Sequence, residues 1–169
     1  MSVNCDVLRE PKPGEWLSES DFATVLRLTP LVSIDLLVRT RDGRILLGRR
    51  KHEPARNSLF VPGGRITKNE TIEAAFRRLT LDELGVEKRI EEARLLGAYS
   101  HFYPTNRLDR EGFGTHYVVL AYELTSQVEL ESLPLDQHDD YVLFTEEECL
   151  ASPQVHENTK AYFGRATHL

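Results

Sequence analysis

The chain has 169 residues, of which 40% are hydrophobic and 28% charged, as expected for one globular domain with a substantial core. Its formal net charge of -6 argues against nonspecific nucleic-acid binding, because no basic block is present to neutralise phosphates. No apolar run approaches the ~20 residues needed to span a bilayer, and the N-terminus lacks the apolar stretch of a signal peptide. Cys5 and Cys149 form no disulfide framework or metal motif. We therefore predict a cytoplasmic protein that binds neither nucleic acid nor membrane.

The predicted elements are a mixture of helices and strands. Residues 1–16 are interrupted by proline and glycine and predict a flexible leader. Ser18 and Asp21 are spaced as in a helix N-terminal cap, and Thr29–Pro30 ends that helix. Apolar or alternating segments predict strands at 31–38, 44–49, 59–61, 93–103, 115–124 and 142–144.

The longest predicted helix spans residues 71–84, and Gly85 is its expected C-terminal stop. Its apolar positions form one face, at Ile72, Ala75, Phe76, Leu79 and Leu84. Thr145 with Glu148 resembles a capping box for a short helix. A final amphipathic helix is predicted over residues 156–165.

The segment around this helix is suited to hold a magnesium ion against a pyrophosphate. Magnesium prefers hard oxygen ligands and usually keeps substrate phosphates in its shell. Gly63 and Gly64 let the backbone approach closely and leave a carbonyl free for the ion. Asp82 and Glu83 lie near one helical face, one turn beyond Leu79. Leu79 therefore occupies a position where a further carboxylate would fit.

A second feature ties the loop before this helix to the helix itself. Arg78 is spaced to reach back toward Glu70. An isolated acidic string of this kind is usually a solvated helix with ordinary ion pairs. Here the glycine turn, the apolar strand before it and the helix stop at Gly85 occur together, which favours a metal site.

The pattern resembles the Nudix box, G-x5-E-x7-R-E-U-x-E-E-x-G-U, in which U is a bulky apolar residue. Leu79 and Asp82 depart from glutamates of the box, and Thr80 departs from an apolar position. The resemblance implies an α+β Nudix fold, an α/β/α sandwich with a mixed central β-sheet, in a single hydrolase domain over residues 17–169. The matching positions are Gly64, Glu70, Arg78, Glu83, Gly85 and Val86.

Longer stretches resemble the GDP-mannose mannosyl hydrolases, a subfamily with a shortened box. They include PLVSIDLLV, LFVPGGRITKNETIEAAFRRLTLDELG, SHFY, THYVVL and QHDDY, and the likeness covers roughly residues 21–163. It implies a homodimer with one Mg²⁺ per active site, for which Mn²⁺ is a possible substitute. It also implies hydrolysis of a small nucleotide sugar, GDP-mannose or GDP-glucose, to GDP and free hexose, by water attack at the sugar C1 with inversion.

The chemistry of a nucleotide sugar agrees with this implication. Water can attack either phosphorus or the anomeric carbon, and attack at carbon needs a good leaving group. GDP becomes one when its charge is neutralised by a metal ion and arginines. An inverting enzyme also needs a base on the opposite face with room for one water.

The resemblance assigns the base and the metal ligands to two distant segments. His138 is the candidate general base, since histidine titrates near neutrality, although alone it would read as a surface-loop histidine. Gln137 is implied as a magnesium ligand through its amide oxygen. Glu83 and the carbonyl of Gly63, or of its neighbour Gly64, complete the set. Asp82 is either a group that holds a metal-bound water or a helix-surface acid.

Other side chains are expected to contact the substrate. Arg65 and Arg50 are candidates to bind the leaving phosphates, because the arginine fork matches phosphate oxygens. Tyr117 is implied to support the same group through its hydroxyl. The alternatives are rim arginines paired with acids and a half-buried core tyrosine.

Three further side chains are candidates to bind the sugar or the metal region. His101 is expected near the sugar or the metal. Asp35 lies in an apolar strand, so a buried acid there needs partners and is expected to orient an arginine or bind a sugar hydroxyl. Asp21 is a candidate substrate contact across a dimer interface.

Two other functions remain open. A conventional Nudix pyrophosphatase would attack phosphorus and give a nucleoside monophosphate and a sugar 1-phosphate, but Leu79 removes a carboxylate that would support that attack. A nucleotide-sugar binding module without turnover would lack the base or the metal ligand, whereas His138 and Glu83 are both present.

Overall fold

The computed structural model describes residues 10–163. None of the helices in that range has the length and apolar composition needed to cross a bilayer. The helices are α1 (Glu19–Leu28), α2 (Ile72–Leu84), α3 (Glu146–Ala151) and α4 (Glu157–Lys160). The strands are β1 (Leu31–Arg39), β2 (Ile45–Arg50), β3 (Leu59–Phe60), β4 (Gly63–Arg65), β5 (Ala93–Tyr103), β6 (Thr115–Thr125) and β7 (His138–Phe144).

The strands form one seven-stranded mixed sheet with the main order β3-β2-β1-β6-β5. β4 also pairs with β1, and β7 pairs with β2. β1 and β6 are parallel, with Leu31 opposite Tyr117 and Arg39 opposite Thr125, whereas the other pairs are antiparallel. The predicted mixed sheet is confirmed.

Helices cover both faces of this sheet. On one face, α2 places Ala75 and Phe76 in a cluster with residues of β1, β2 and β6. On the other face, Cys149 of α3 and Val155 pack with residues of β1, β2 and β3. Each fully buried side chain of the size of Phe76 contributes about 1.5–3 kcal/mol relative to an exposed one. The predicted α/β/α arrangement is therefore confirmed.

Thr71 and Gly85 determine where helix α2 begins and ends. The Thr71 side chain accepts a hydrogen bond from the Ala74 amide, and Gly85 ends the helix with φ 70°, a left-handed conformation that favours glycine. The predicted apolar face is wrong at one position, because Ile72 is 40% exposed. Ile72 is the first residue of α2 and does not belong to the core cluster that Ala75 and Phe76 join.

Three segments differ from their prediction. Gly63–Arg65, expected as a turn, is strand β4, since its backbone pairs with Ser33–Asp35 of β1. The last strand begins at His138 rather than at 142, because its first residues pair with β2. The final helix is only Glu157–Lys160, with turns to residue 163; the rest of the predicted span lies outside the described residues.

Candidate active site

A cavity of about 730 Å³ lies at the glycine strand β4 and the α2 face, within the size range of small-molecule sites. It is lined by residues of α1, α2 and all seven strands, together with residues 16–17, the 52–54 segment, the loop between β5 and β6, and residues 136–137. Asp21 and Glu70 are not among its lining residues. The predicted site residues that line it are Asp35, Arg50, Gly63, Gly64, Arg65, Arg78, Glu83, His101, Tyr117, Gln137 and His138.

Arg78 and Glu70 hold the loop onto α2 as their spacing suggested. Arg78 donates from Nε to Glu70 Oε1 at 2.7 Å and from NH2 to Oε2 at 2.9 Å, and NH2 also donates to the Arg65 carbonyl at 2.9 Å. Burial alone would raise the pKa of Glu70, but hydrogen bonds from Arg78 and Thr67 outweigh it and hold that pKa below its usual value. This pair therefore holds β4, whose three residues line the cavity, against α2.

Substitution Glu70→Gln is expected to lower the free energy of unfolding by about 1–3 kcal/mol, because charge-assisted hydrogen bonds to a nearly buried carboxylate are lost. The Glu70 side chain is only 4% exposed. Urea unfolding followed by circular dichroism measures the change. Glu73→Gln, at an exposed position in the first turn of α2, removes the same charge and should change stability by less than about 0.5 kcal/mol. Equal effects of the two substitutions would contradict the proposed role.

Glu83 has the surroundings of a metal ligand. It is 4% exposed, and its Oε2 receives no hydrogen bond although His138 Nε2 lies 3.3 Å away. A buried carboxylate oxygen without a hydrogen bond is costly, so a cation is the natural partner. Gly63 and Gln137 line the same cavity, and the Gln137 side chain is exposed. A backbone carbonyl and a side-chain amide supply hard oxygen donors, as the Glu83 carboxylate does, and Mg²⁺ prefers donors of this chemistry.

The set contains one carboxylate rather than several. Among residues 10–163, no group of three or more histidine, cysteine, aspartate or glutamate side chains is arranged to hold a metal ion. Asp82, the other acid of the helix, is about half exposed and lies 3.4 Å from Arg78 NH1. Both interpretations of Asp82 stay open, since it lines the cavity and also pairs on the helix surface.

His138 lies beside Glu83 and not on a separate loop. It is the first residue of β7, opposite Arg50 of β2, and it is 4% exposed. Its Nδ1 has no hydrogen bond. Gly48 makes room for the ring, because a Cβ at that position would lie 2.3 Å from Nδ1. The expectation of a loop was wrong, because Asp139 and Asp140 give this strand a polar pattern. Gly48 is a further residue of the site that the sequence did not indicate.

Arg65 is held between two aromatic rings. Its guanidinium lies 4.0 Å from the ring centre of Phe22 and 4.7 Å from that of Trp16. Stacking of this kind uses the faces of the guanidinium and leaves its edges free to donate. Trp16 belongs to the predicted leader, whose Gly14 amide donates to Thr67 Oγ1 at 2.8 Å. No sequence pattern indicates this contact between residues 10–17 and the site.

Arg50 and Tyr117 lie on the cavity wall. The Arg50 guanidinium is 5.3 Å from the Phe60 ring centre. Burial raises the pKa of Tyr117, while the charges of Arg65 and Arg50 oppose the rise. Tyr117 therefore keeps its proton and can donate to a ligand oxygen.

Asp35 and His101 meet at a tyrosine that the sequence did not single out. The Tyr162 hydroxyl donates to Asp35 Oδ2 at 2.6 Å and lies 3.4 Å from His101 Nε2. Burial raises the pKa of Asp35 to about 6, against the opposing effects of Tyr162 and Arg50. Burial lowers the pKa of His101 to about 4, so its ring is neutral near pH 7. This group can donate and accept hydrogen bonds, as sugar hydroxyls require.

Asp21 lies outside the cavity of its own chain. It is exposed, and its carboxylate accepts from Ser18 Oγ at 2.6 Å while its amide donates to the same oxygen at 3.2 Å. This confirms the predicted N-terminal cap of α1. A role for Asp21 in substrate binding stays a prediction that needs a second subunit.

Residues 29–165 match the family model of the NUDIX domain. The chain belongs to the Nudix family. The low-salt glycan biosynthesis protein Agl8 of Haloferax volcanii is 40% identical over 135 residues, which cover 79% of this Nudix chain and 82% of that protein. The ADP-ribose pyrophosphatase of Methanocaldococcus jannaschii is 36% identical over 75 residues, 44% of this chain and 43% of that protein.

Solved structures of Nudix proteins share this fold. The MutT Nudix hydrolase of Burkholderia pseudomallei is 28% identical with a TM-score of 0.64, over 82% of this chain and 99% of that one. The NUDIX domain of NrtR from Shewanella oneidensis, solved with ADP ribose, is 16% identical with a TM-score of 0.59, over 86% of this chain and 96% of that one. At this identity the similarity shows the fold alone. The chain is thus a Nudix hydrolase, and hydrolases of this family generally use divalent metal ions.

Two departures from the Nudix box have structural explanations. Leu79 is 3% exposed, and a Cβ on Gly64 would lie 2.6 Å from its Cδ2, so the leucine packs directly on the glycine strand. Thr80 is fully buried and its Oγ1 accepts from the Lys88 amide at 2.9 Å. Threonine at this position fixes the chain that leaves the helix.

Proposed function

We propose that this Nudix hydrolase cleaves GDP-mannose, and GDP-glucose, to GDP and free hexose by attack of water at the sugar C1 with inversion. The observation that carries the proposal is the α2 face. There Leu79 packs on Gly64 where the box has a glutamate, while buried Glu83 lies 3.3 Å from His138. This face offers one carboxylate for a cation and a histidine beside it, and it lacks the acid that would support attack at phosphorus.

In the proposed reaction, the bond from C1 to the diphosphate oxygen breaks and the oxygen of a water molecule bonds to C1. GDP leaves with the electron pair of the broken bond, and His138 takes the proton of the attacking water. A magnesium ion held by Glu83, the Gly63 carbonyl and the Gln137 amide oxygen would neutralise charge on the departing diphosphate.

The protein's own groups serve the two ends of the substrate. Arg65 and Arg50 donate to phosphate oxygens, and Tyr117 supports the leaving group through its hydroxyl. Asp35 and His101 bind hydroxyls of the hexose, with Tyr162 orienting Asp35 through the 2.6 Å hydrogen bond. Glu70 and Arg78 keep β4 in place. The proposal also includes a homodimer in the cytoplasm, with residues 17–169 as the Nudix domain.

Relatives support a nucleotide-sugar substrate by name only. The similar Haloferax volcanii protein is named for glycan biosynthesis, a process that consumes activated sugars. The shorter match to an ADP-ribose pyrophosphatase favours the second candidate, a pyrophosphatase that attacks phosphorus and gives a nucleoside monophosphate and a sugar 1-phosphate. A binding module without turnover is the third, and the presence of both Glu83 and His138 argues against it.

Hydrolysis of GDP-mannose in ¹⁸O-enriched water with Mg²⁺ separates the three functions. The expected result is ¹⁸O label in the hexose and none in GDP. Because the reaction inverts C1, NMR should show that the α-mannosyl substrate gives β-mannose as the first product. Label in GMP or in mannose 1-phosphate would establish the pyrophosphatase. Binding by calorimetry without any product from GDP-mannose, GDP-glucose or ADP-ribose would establish the binding module. Unlabelled hexose would contradict the proposed attack at C1.

A further inference from the structure

The loop between β5 and β6 is built around one buried asparagine. Asn106 is 1% exposed, and its Nδ2 donates to the carbonyls of Arg110 and Phe113 at 2.7 and 2.8 Å. Its Oδ1 accepts from the amides of Leu108 and Arg110 at 3.1 and 3.3 Å. The side chain of Asn106 thus replaces regular backbone pairing and fixes the chain on both sides of Arg107.

Three contacts fasten this loop to its neighbours. Thr105 Oγ1 donates to Glu53 Oε2 at 2.7 Å, and Arg56 pairs with Asp109 at 2.7 Å. Arg110 pairs with Glu19 at 2.7 Å. The loop is therefore held against both the 51–58 segment and α1, and the acids in these three contacts already have partners.

Arg107 is the charged side chain of this loop that lines the cavity. It is exposed, and no ion pair or hydrogen bond joins its side chain to any other residue in the 10–163 range. Arg50 and Arg65 line the same cavity. A fixed loop therefore brings a cation without a protein partner to a cavity that two further arginines line, an arrangement suited to binding an anion.

The charge of Arg107 reaches both sides of the cavity. Burial lowers the pKa of His52, and Arg107 is the nearby charge that lowers it most. Burial also lowers the pKa of Arg65. Tyr117 opposes this decrease, and the charge of Arg107 lowers the pKa further. The charge of Arg107 therefore acts on both His52 and Arg65, which line the same cavity.

We propose that Arg107 is a binding residue for the diphosphate of the nucleotide substrate, acting together with Arg50 and Arg65. The planar guanidinium matches two phosphate oxygens at once. A diphosphate is the favoured ligand because it is the anionic part of a nucleotide sugar, whereas the base and the hexose are neutral and give three guanidinium groups no charge to bind. The inference rests on the proposed function for the identity of the base and sugar, whereas the diphosphate is common to GDP-mannose and ADP-ribose.

The test is calorimetric binding of GDP, ADP and guanosine, with Mg²⁺, to the wild-type chain and to Arg107→Gln. Loss of one charge-assisted contact at an exposed position is expected to weaken GDP and ADP by about 10-fold each and to leave guanosine unchanged. Arg107→Lys should restore part of the affinity through its charge. Arg41→Gln removes the same charge from the exposed β1–β2 turn and should bind GDP as the wild type does.

The outcomes separate this inference from the proposed function. Unchanged GDP and ADP binding by Arg107→Gln would overturn the inference, and an equal loss for guanosine would replace it with stacking on the base. If the wild type binds GDP and releases no hexose from GDP-mannose, the proposed function fails while the Arg107 comparison still holds. A wild type that binds no nucleoside diphosphate overturns both.

Discussion

Substitution of His138 by glutamine is expected to lower kcat on GDP-mannose by about 10²–10⁴ with little change in KM, the usual range for loss of a general base. Glutamine keeps a polar side chain of similar length but cannot take a proton from water. The ring is 4% exposed and has an Nδ1 without a hydrogen bond, so its removal breaks no bond from Nδ1. Steady-state kinetics at saturating Mg²⁺ measure the effect.

The contact between His138 and Glu83 makes a second role testable in the same experiment. If His138 positions Glu83 rather than accepting a proton, His138→Gln will raise the Mg²⁺ concentration for half-maximal activity, and excess Mg²⁺ will restore kcat. If it is the base, the loss of kcat will persist at every Mg²⁺ concentration. His116→Gln is the matched control, because His116 stacks on Phe102 at 4.3 Å away from this cavity and should leave kcat unchanged.

Local patterns were enough to predict the helix α2 and its tie to the preceding loop. Gly85, Thr71 and the spacing of Glu70 from Arg78 act over a few residues, so the sequence determines their geometry directly. Gly63 and Gly64 were identified as the close approach of the backbone, but not as strand β4. Pairing with β1 is a long-range contact, and two glycines carry no alternation that would predict a strand.

The parts of the site that were missed depend on residues far apart in the chain. Trp16 reaches Arg65 because residues 10–17 lie along the 66–70 loop, and Tyr162 reaches Asp35 across 127 positions. No periodicity within either segment encodes the other. Arg65 and Asp35 were identified by type and position, whereas the groups that hold them required the folded chain. The roles of the candidate residues stay predictions until they are tested by substitution.

Glu83→Gln is expected to abolish turnover and, without metal, to raise the free energy of unfolding by about 1–3 kcal/mol. The gain arises because a buried carboxylate oxygen without a hydrogen bond is costly, and an amide of the same size carries no charge that must be desolvated. A gain in stability with a loss of function is typical of groups that serve a site rather than the fold. Thermal or urea unfolding in EDTA measures the first effect.

Magnesium should reverse the order of stability. A ligand that binds only the folded state stabilises it by about 4.1 kcal/mol at one thousand times its Kd, which exceeds the gain from Glu83→Gln. Mg²⁺ at that concentration should therefore raise the Tm of the wild type above that of Glu83→Gln, whose Tm it should leave unchanged. Asp82→Asn, at the adjacent exposed position, decides between the two interpretations of Asp82. A normal Mg²⁺ shift in Tm would make Asp82 a surface acid, and a reduced shift would place it near a metal-bound water. If Glu83→Gln keeps both the Mg²⁺ shift and its turnover, Glu83 is not the ligand, and a cation would not explain its unpaired oxygen.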